Sequence, residues 1–93
     1  EFIAQVVGEH EKRFVDFFNK AQAINTRLHQ IELLPGFGKK HTDEVLEARK
    51  EKDFESFKDI KTRVGNIPDP KKSIEKRLME EIIENPRHQL FVN

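Results

Sequence analysis

A phenylalanine bracketed by glycines, with two lysines directly after it, occupies residues 36–40. The order Gly36-Phe37-Gly38-Lys39-Lys40 suits the capture of an oxyanion. Glycine tolerates the positive φ that a tight link between helices demands, so Gly36 and Gly38 are both expected to supply it. Phe37 is then expected to turn inward and pin the link, its burial contributing about 2 to 3 kcal/mol. With that ring tucked away, the N–H groups of Gly36, Gly38 and Lys39 would face outward at the start of the next helix. Helix N-termini offer free N–H donors and a partial positive charge, and both favour an anion. Lys39 and Lys40 add full charges at the same edge, with Arg49 and His41 in secondary positions, His41 gaining charge below about pH 6.5. Lys71 and Lys72 follow a second turn, Gly-Asn-Ile-Pro-Asp-Pro at 65–70. There Pro68 lacks an N–H and Asp69 brings its own carboxylate to the anion position, so that turn is expected to be chiefly structural.

Other chemistry has little footing. No Ser or Cys nucleophile stands beside a base, and no paired carboxylates mark a cleft. Residues 36–40 are not a Walker loop, lacking both the earlier glycine and the Ser or Thr after lysine. The four histidines, His10, His29, His41 and His88, lie at no metal-ligand spacing, and there is no cysteine. No enzyme activity, metal or cofactor is therefore expected. The absence of cysteine fits a cytoplasmic protein.

The elements that must position the glycine turn follow from periodicity. Residues 2–22 place Phe2, Ile3, Val6, Val7, Phe14, Phe17, Phe18 and Ala21 at intervals of three and four, which predicts a helix weakened near Gly8. Asn25 and Thr26 read as the cap of a short second helix carrying Leu28, Ile31 and Leu34, stopped by Pro35. A third helix is expected from about residue 40 to 52. Ser56 and Asp59 read as the cap of a fourth, with Phe54, Phe57, Ile60 and Val64 inward. Asp69-Pro70 opens a fifth over about 71–84, and Asn85-Pro86 ends it. The tail His88-Gln89-Leu90-Phe91-Val92 has strand-like residues and no partner strand in this chain. The phenylalanines recur at helical spacing and read as core.

With 93 residues, 37% of them charged, the chain is one small domain with a thin core, and a start at Glu1 suggests a fragment of a longer protein. The formal net charge is zero. Nucleic-acid binders are usually basic overall, so any phosphate contact here must be local.

The stretch Leu33-Leu34-Pro35-Gly36-Phe37-Gly38-Lys39-Lys40-His41-Thr42 resembles the helix-hairpin-helix motif, with Pro35-Gly36-Phe37-Gly38 matching its Pro-Gly-Ile-Gly turn. It departs from the motif at Phe37, where isoleucine is usual, and at Thr42, where alanine often packs. The resemblance implies contact with the sugar-phosphate backbone that ignores base sequence. Residues 13–92 further resemble the C-terminal part of an archaeal family of unknown function, grouped as RNA-binding on prediction. That likeness implies a preceding OB-like β-barrel domain, and a tail over 88–92 that pairs or packs with something outside this chain.

The resulting expectation is an all-α domain of about five helices. It comprises a packing helix over 1–22, a tandem helix-hairpin-helix pair over 23–84 with the second hairpin degenerate, and an extended tail over 85–93. Its expected partner is an RNA or DNA backbone, bound through Gly36, Gly38, Lys39, Lys40, His41, Arg49, Lys71 and Lys72. The alternative is an interaction module that docks on a partner, or on the barrel, through Phe2, Ile3 and the Leu90-Phe91-Val92 tail.

Overall fold

Five α-helices and one 3₁₀ turn make up the computed structural model, which describes residues 2–92. Glu1 and Asn93, the outermost residues of the expected first and last segments, lie outside the described residues. The all-α expectation holds, with no strand among the described residues beyond one isolated bridge between Ala23 and His29.

The first apolar stripe is two helices, not one: α1 (Phe2–Glu9) and α2 (Glu11–Lys20). The break falls at His10, whose φ of −115° and ψ of 36° leave the helical region. A straight helix of about 20 residues would run about 30 Å. That exceeds the 20 Å thickness of the body and nearly equals its longer extents of 34 and 31 Å. Breaking beside Gly8 lets Ile3 and Val7 face α5 while Phe14, Val15 and Phe18 enter the centre.

The second helix expected from Asn25 does not form. Asn25 Oδ1 instead accepts from the N–H groups of Arg27 and Leu28, closing an Asx turn. The 3₁₀ turn begins only at Gln30 and ends at Leu33. His29 Nδ1 accepts from the Ile31 N–H and the Glu32 carboxylate accepts from the His29 N–H. Too few residues remain before Pro35 for an α-helix to propagate.

Helix α3 (Lys39–Arg49) follows the glycine turn and buries Thr42 and Val45. Helix α4 (Phe57–Arg63) is capped as expected, Ser56 Oγ accepting from the Asp59 N–H at 2.9 Å. The loop before it is held by Asn19, which exchanges two hydrogen bonds with the Phe54 backbone. Arg63 donates to the carbonyls of Ala48, Lys52 and Asp53, and its guanidinium lies 4.5 Å from the centre of the Phe54 ring. Helix α5 (Pro70–Glu84) starts on Asp69 and Pro70 and ends at Asn85, whose φ of 48° is left-handed.

The tail does not reach outward. One oxygen of Glu81 accepts from the Leu90 N–H at 2.7 Å, and the other from Phe91 and Val92 at 2.8 and 2.9 Å. Arg77 bonds Glu81 at 2.9 Å and also donates to the His88 carbonyl. Phe91 lies edge-on to Phe14 and Phe17. A single buried carboxylate therefore supplies, within the chain, hydrogen bonds that a partner strand would have supplied. Ile3 is buried in the core, which removes it from the docking surface expected from sequence, whereas Leu90 and Phe91 are only partly buried.

Candidate nucleic-acid interface

Phe37 is 4% exposed and rests against Phe18, so the glycine turn is pinned from within as expected. Its two glycines do different work. Gly36 has φ of +87°, and a Cβ there would meet the Pro68 ring at 3.1 Å. Gly38 is extended, at φ −98° and ψ −172°, and serves as the N-cap of α3, so the expectation of positive φ at both is corrected. Its carbonyl accepts from both the N–H and the hydroxyl of Thr42. That satisfies the hydroxyl where a smaller side chain was expected.

The donors are only partly free. The Phe37 N–H bonds to the Leu34 carbonyl, and the Gly38 N–H bonds to His41 Nδ1 at 3.0 Å. The N–H groups of Gly36, Lys39, Lys40 and His41 have no partner among the described residues. By accepting from the Gly38 N–H, His41 caps the start of α3.

Lys39 and Lys40 are exposed and make no ion pair among the described residues. Arg49 is elsewhere: its guanidinium donates to the carbonyls of Phe18 and Ala21 at 3.1 and 2.9 Å, capping the end of α2. Arg27 takes its place near the turn. This residue was not singled out from sequence, yet it lines one depression with Lys39 and is exposed and unpaired among the described residues. Reading Asn25 as an Asx turn instead of a helix cap would have placed Arg27 on a loop beside α3.

The second hairpin sits alongside the first. Pro68 touches Gly36, Ser73 Oγ donates to the Pro35 carbonyl, and Lys40 and Gly65 line one cleft. Its left-handed residue is Asn66, at φ 58°, and not the glycine before it. The Asp69 carboxylate accepts from the N–H groups of Lys71 and Lys72, so this helix terminus is already occupied. Lys71 pairs with Glu75 at 2.9 Å, whereas Lys72 is exposed and unpaired among the described residues.

Electrostatics narrows the approach. The cleft between α3 and the second hairpin carries Asp43, Glu44, Glu47 and Glu51 against Lys40 and Arg63. That flank is acidic, whereas Arg27, Lys39, Lys40 and the free N–H groups stand at the tip, with Glu32 and Asp43 lining the depression beside it. Beside this tip His29 is held below its ordinary value, first by burial and then by the Arg49 charge. No cluster of three or more His, Asp or Glu among the described residues is arranged to hold a metal ion. No helix there is long and apolar enough to cross a membrane.

The family model described as "Protein of unknown function (DUF655)" matches residues 1–93. The chain belongs to the DUF655 family. A relative, the uncharacterized protein MJ0038 of Methanocaldococcus jannaschii, is 39% identical over 90 residues, covering 97% of this chain and 41% of the relative. The crystal structure of Af1531 from Archaeoglobus fulgidus, another DUF655 protein, superposes with a TM-score of 0.87 at 44% identity. That match covers 97% of this chain and 50% of the other. This DUF655 chain thus spans half or less of the length of the relatives it matches.

Proposed function

We propose that this domain binds the sugar-phosphate backbone of RNA or DNA without reading bases, using a helix-hairpin-helix turn at residues 33–42. The observation that carries the reading is the pairing of a buried Phe37 with a bare α3 tip. The ring is fixed in the core while unpaired Lys39 and Lys40 and the N–H groups of Lys39 to His41 are left to an anion. The Gly36–Pro68 contact supports it further by holding the second turn against the first. Arg27 extends the positive edge.

The contact is small. Neutralising about two to four phosphates gives a log K against log salt slope of about −2 to −4, with micromolar or weaker affinity. Fluorescence anisotropy with matched single- and double-stranded RNA and DNA oligomers across salt measures that slope. Lys39→Glu with Lys40→Glu is expected to weaken binding at least tenfold and flatten the slope while the helical circular dichroism stays unchanged. A double variant that binds as the parent does removes this hairpin from the interface.

A further inference from the structure

One end of the domain carries large apolar side chains that the core leaves uncovered: Phe2 is 77% exposed, Ile83 70%, Ile82 57% and Met79 37%. Single exposed apolar residues are ordinary, but a contiguous group marks a docking surface. Three of them share one side of a single helix. Met79 lies three and four residues before Ile82 and Ile83, on one side of α5. Gly8 sits against Lys71, and Val6 shares a groove with Leu78, so α1 runs antiparallel to α5. Phe2 at the head of α1 is thereby brought level with the last turn of α5.

We propose that this Phe2/Met79/Ile82/Ile83 surface seats a further folded domain of the same polypeptide, of the kind that makes up the rest of the longer relatives. Two observations select that occupant. The Archaeoglobus fulgidus and Methanocaldococcus jannaschii proteins carry at least as much chain again outside the matched region, enough for a second domain. The patch itself is too small for a free second copy. A stable dimer buries about 800 Å² on each partner, whereas four side chains of these exposures offer a few hundred. A tethered domain needs less area, because covalent linkage raises its effective concentration to the millimolar range. The seated face is apolar with a basic rim, since Glu84 borders the patch exposed and without an ion pair among the described residues.

The test uses two polypeptides: residues 1–93 alone, and residues 1–93 grafted in place of the matched half of the Archaeoglobus fulgidus protein. The domain alone is a usable control because its core is closed by its own side chains, with no buried side-chain nitrogen or oxygen unpaired among the described residues. Hydrogen exchange is expected to slow at least tenfold in residues 79–84 and the first turn of α1 in the graft. Exchange at residues 36–42 should not change. Ile82→Lys with Ile83→Lys is expected to abolish that protection and to speed proteolysis between the halves, while the melting temperature of the isolated domain stays within about 3 °C. Equal exchange at 79–84 in both polypeptides overturns the proposal. So does protection that already exists in the isolated domain and rises with its concentration, because that identifies a second copy as the occupant.

Discussion

Glu81 offers the sharpest perturbation. Its side chain has no exposed surface, yet its two oxygens accept three N–H groups of the tail and the Arg77 guanidinium. Burial alone would push this carboxyl up. The Leu90 and Phe91 N–H groups, Arg77 and the Val92 N–H together outweigh it and hold the group below its ordinary value of 4.5. Removing one partner of such a buried pair costs about 3 to 5 kcal/mol, because the other charge is left uncompensated. Here the low end applies, since Arg77 keeps a longer contact to Glu80 at 3.8 Å and a released tail admits water. Glu81→Ala should therefore cost about 3 kcal/mol of the roughly 5 to 14 kcal/mol a domain of this length holds. That corresponds to a melting temperature lower by roughly 12 to 24 °C.

Thermal melts followed by far-ultraviolet circular dichroism measure the loss, and hydrogen exchange at Leu90, Phe91 and Val92 locates it. Phe91→Ala should remove the same docking from the other side. The two substitutions together should then cost at least 1 kcal/mol less than the sum of the single ones, because each acts through the seated tail. The acid limb follows with its sign. The folded-state value lies below the unfolded one, so the unfolded chain takes up the proton first. Stability from Glu81 is complete above about pH 4.5 and drains away as pH falls through the lower folded value. Glu81→Gln should flatten that limb. A Glu81→Ala protein that melts within 2 °C of the parent and keeps its tail amides protected would refute the account of the clasp.

Three further outcomes follow from the site. His29 is held below 6.5 in the folded chain, so its contribution is complete above that pH and falls away under acid; His29→Asn, a cap that does not titrate, should lose less stability between pH 7 and 5 in denaturant titrations. Gly36→Ala must adopt φ near +87° against the Pro68 ring, and should cost about 1 to 2 kcal/mol in a melt and weaken oligonucleotide binding by prising the hairpins apart. Arg49→Lys should lower stability by about 1 kcal/mol through loss of its fork on the Phe18 and Ala21 carbonyls. It should leave the salt slope of binding unchanged, which anisotropy across salt would check.

What could be read from sequence was local. Ser56 with Asp59, Asp69 with Pro70, and Asn85 before Pro86 each act through the backbone of their own turn, and all mark helix ends where expected. Phe37 was legible as an inward anchor because two flanking glycines leave an aromatic no other use in a tight turn. The features that escaped are tertiary. Gly8 marks a weak point near His10, but the break itself answers the need for α1 to lie along α5. Asn25 caps or turns with equal ease, and the choice went to the Asx turn, with His29 and Glu32 starting the 3₁₀ turn five residues later. Arg49 is chemically suited to a phosphate, and only the nearby carbonyls ending α2 reveal its use. The tail's partner, Glu81, reads from sequence as one more solvent-facing charge on a helix rich in them.

The two proposed surfaces lie at opposite ends of α5. Pro70 opens that helix beside the Gly36–Pro68 contact, and Ile82 and Ile83 close it, about 20 Å away at 1.5 Å per residue. Occupying the apolar end therefore leaves the lysine-bearing tip open. A net charge of zero gives the domain no long-range pull on nucleic acid, and the acidic flank of α3 forbids a broad footprint. A contact of about two to four phosphates is too weak to hold a partner alone at physiological salt. It becomes useful once a second surface on the same polypeptide grips the same strand, since the tether turns the hairpin contact into an intramolecular event. On these two proposals the grafted polypeptide should bind long oligonucleotides more tightly than residues 1–93 alone. The advantage should disappear when the oligomer is too short to reach both domains. A graft that binds long and short oligomers alike would separate the hairpin from any joint role while leaving the docking of the domains to the exchange measurement.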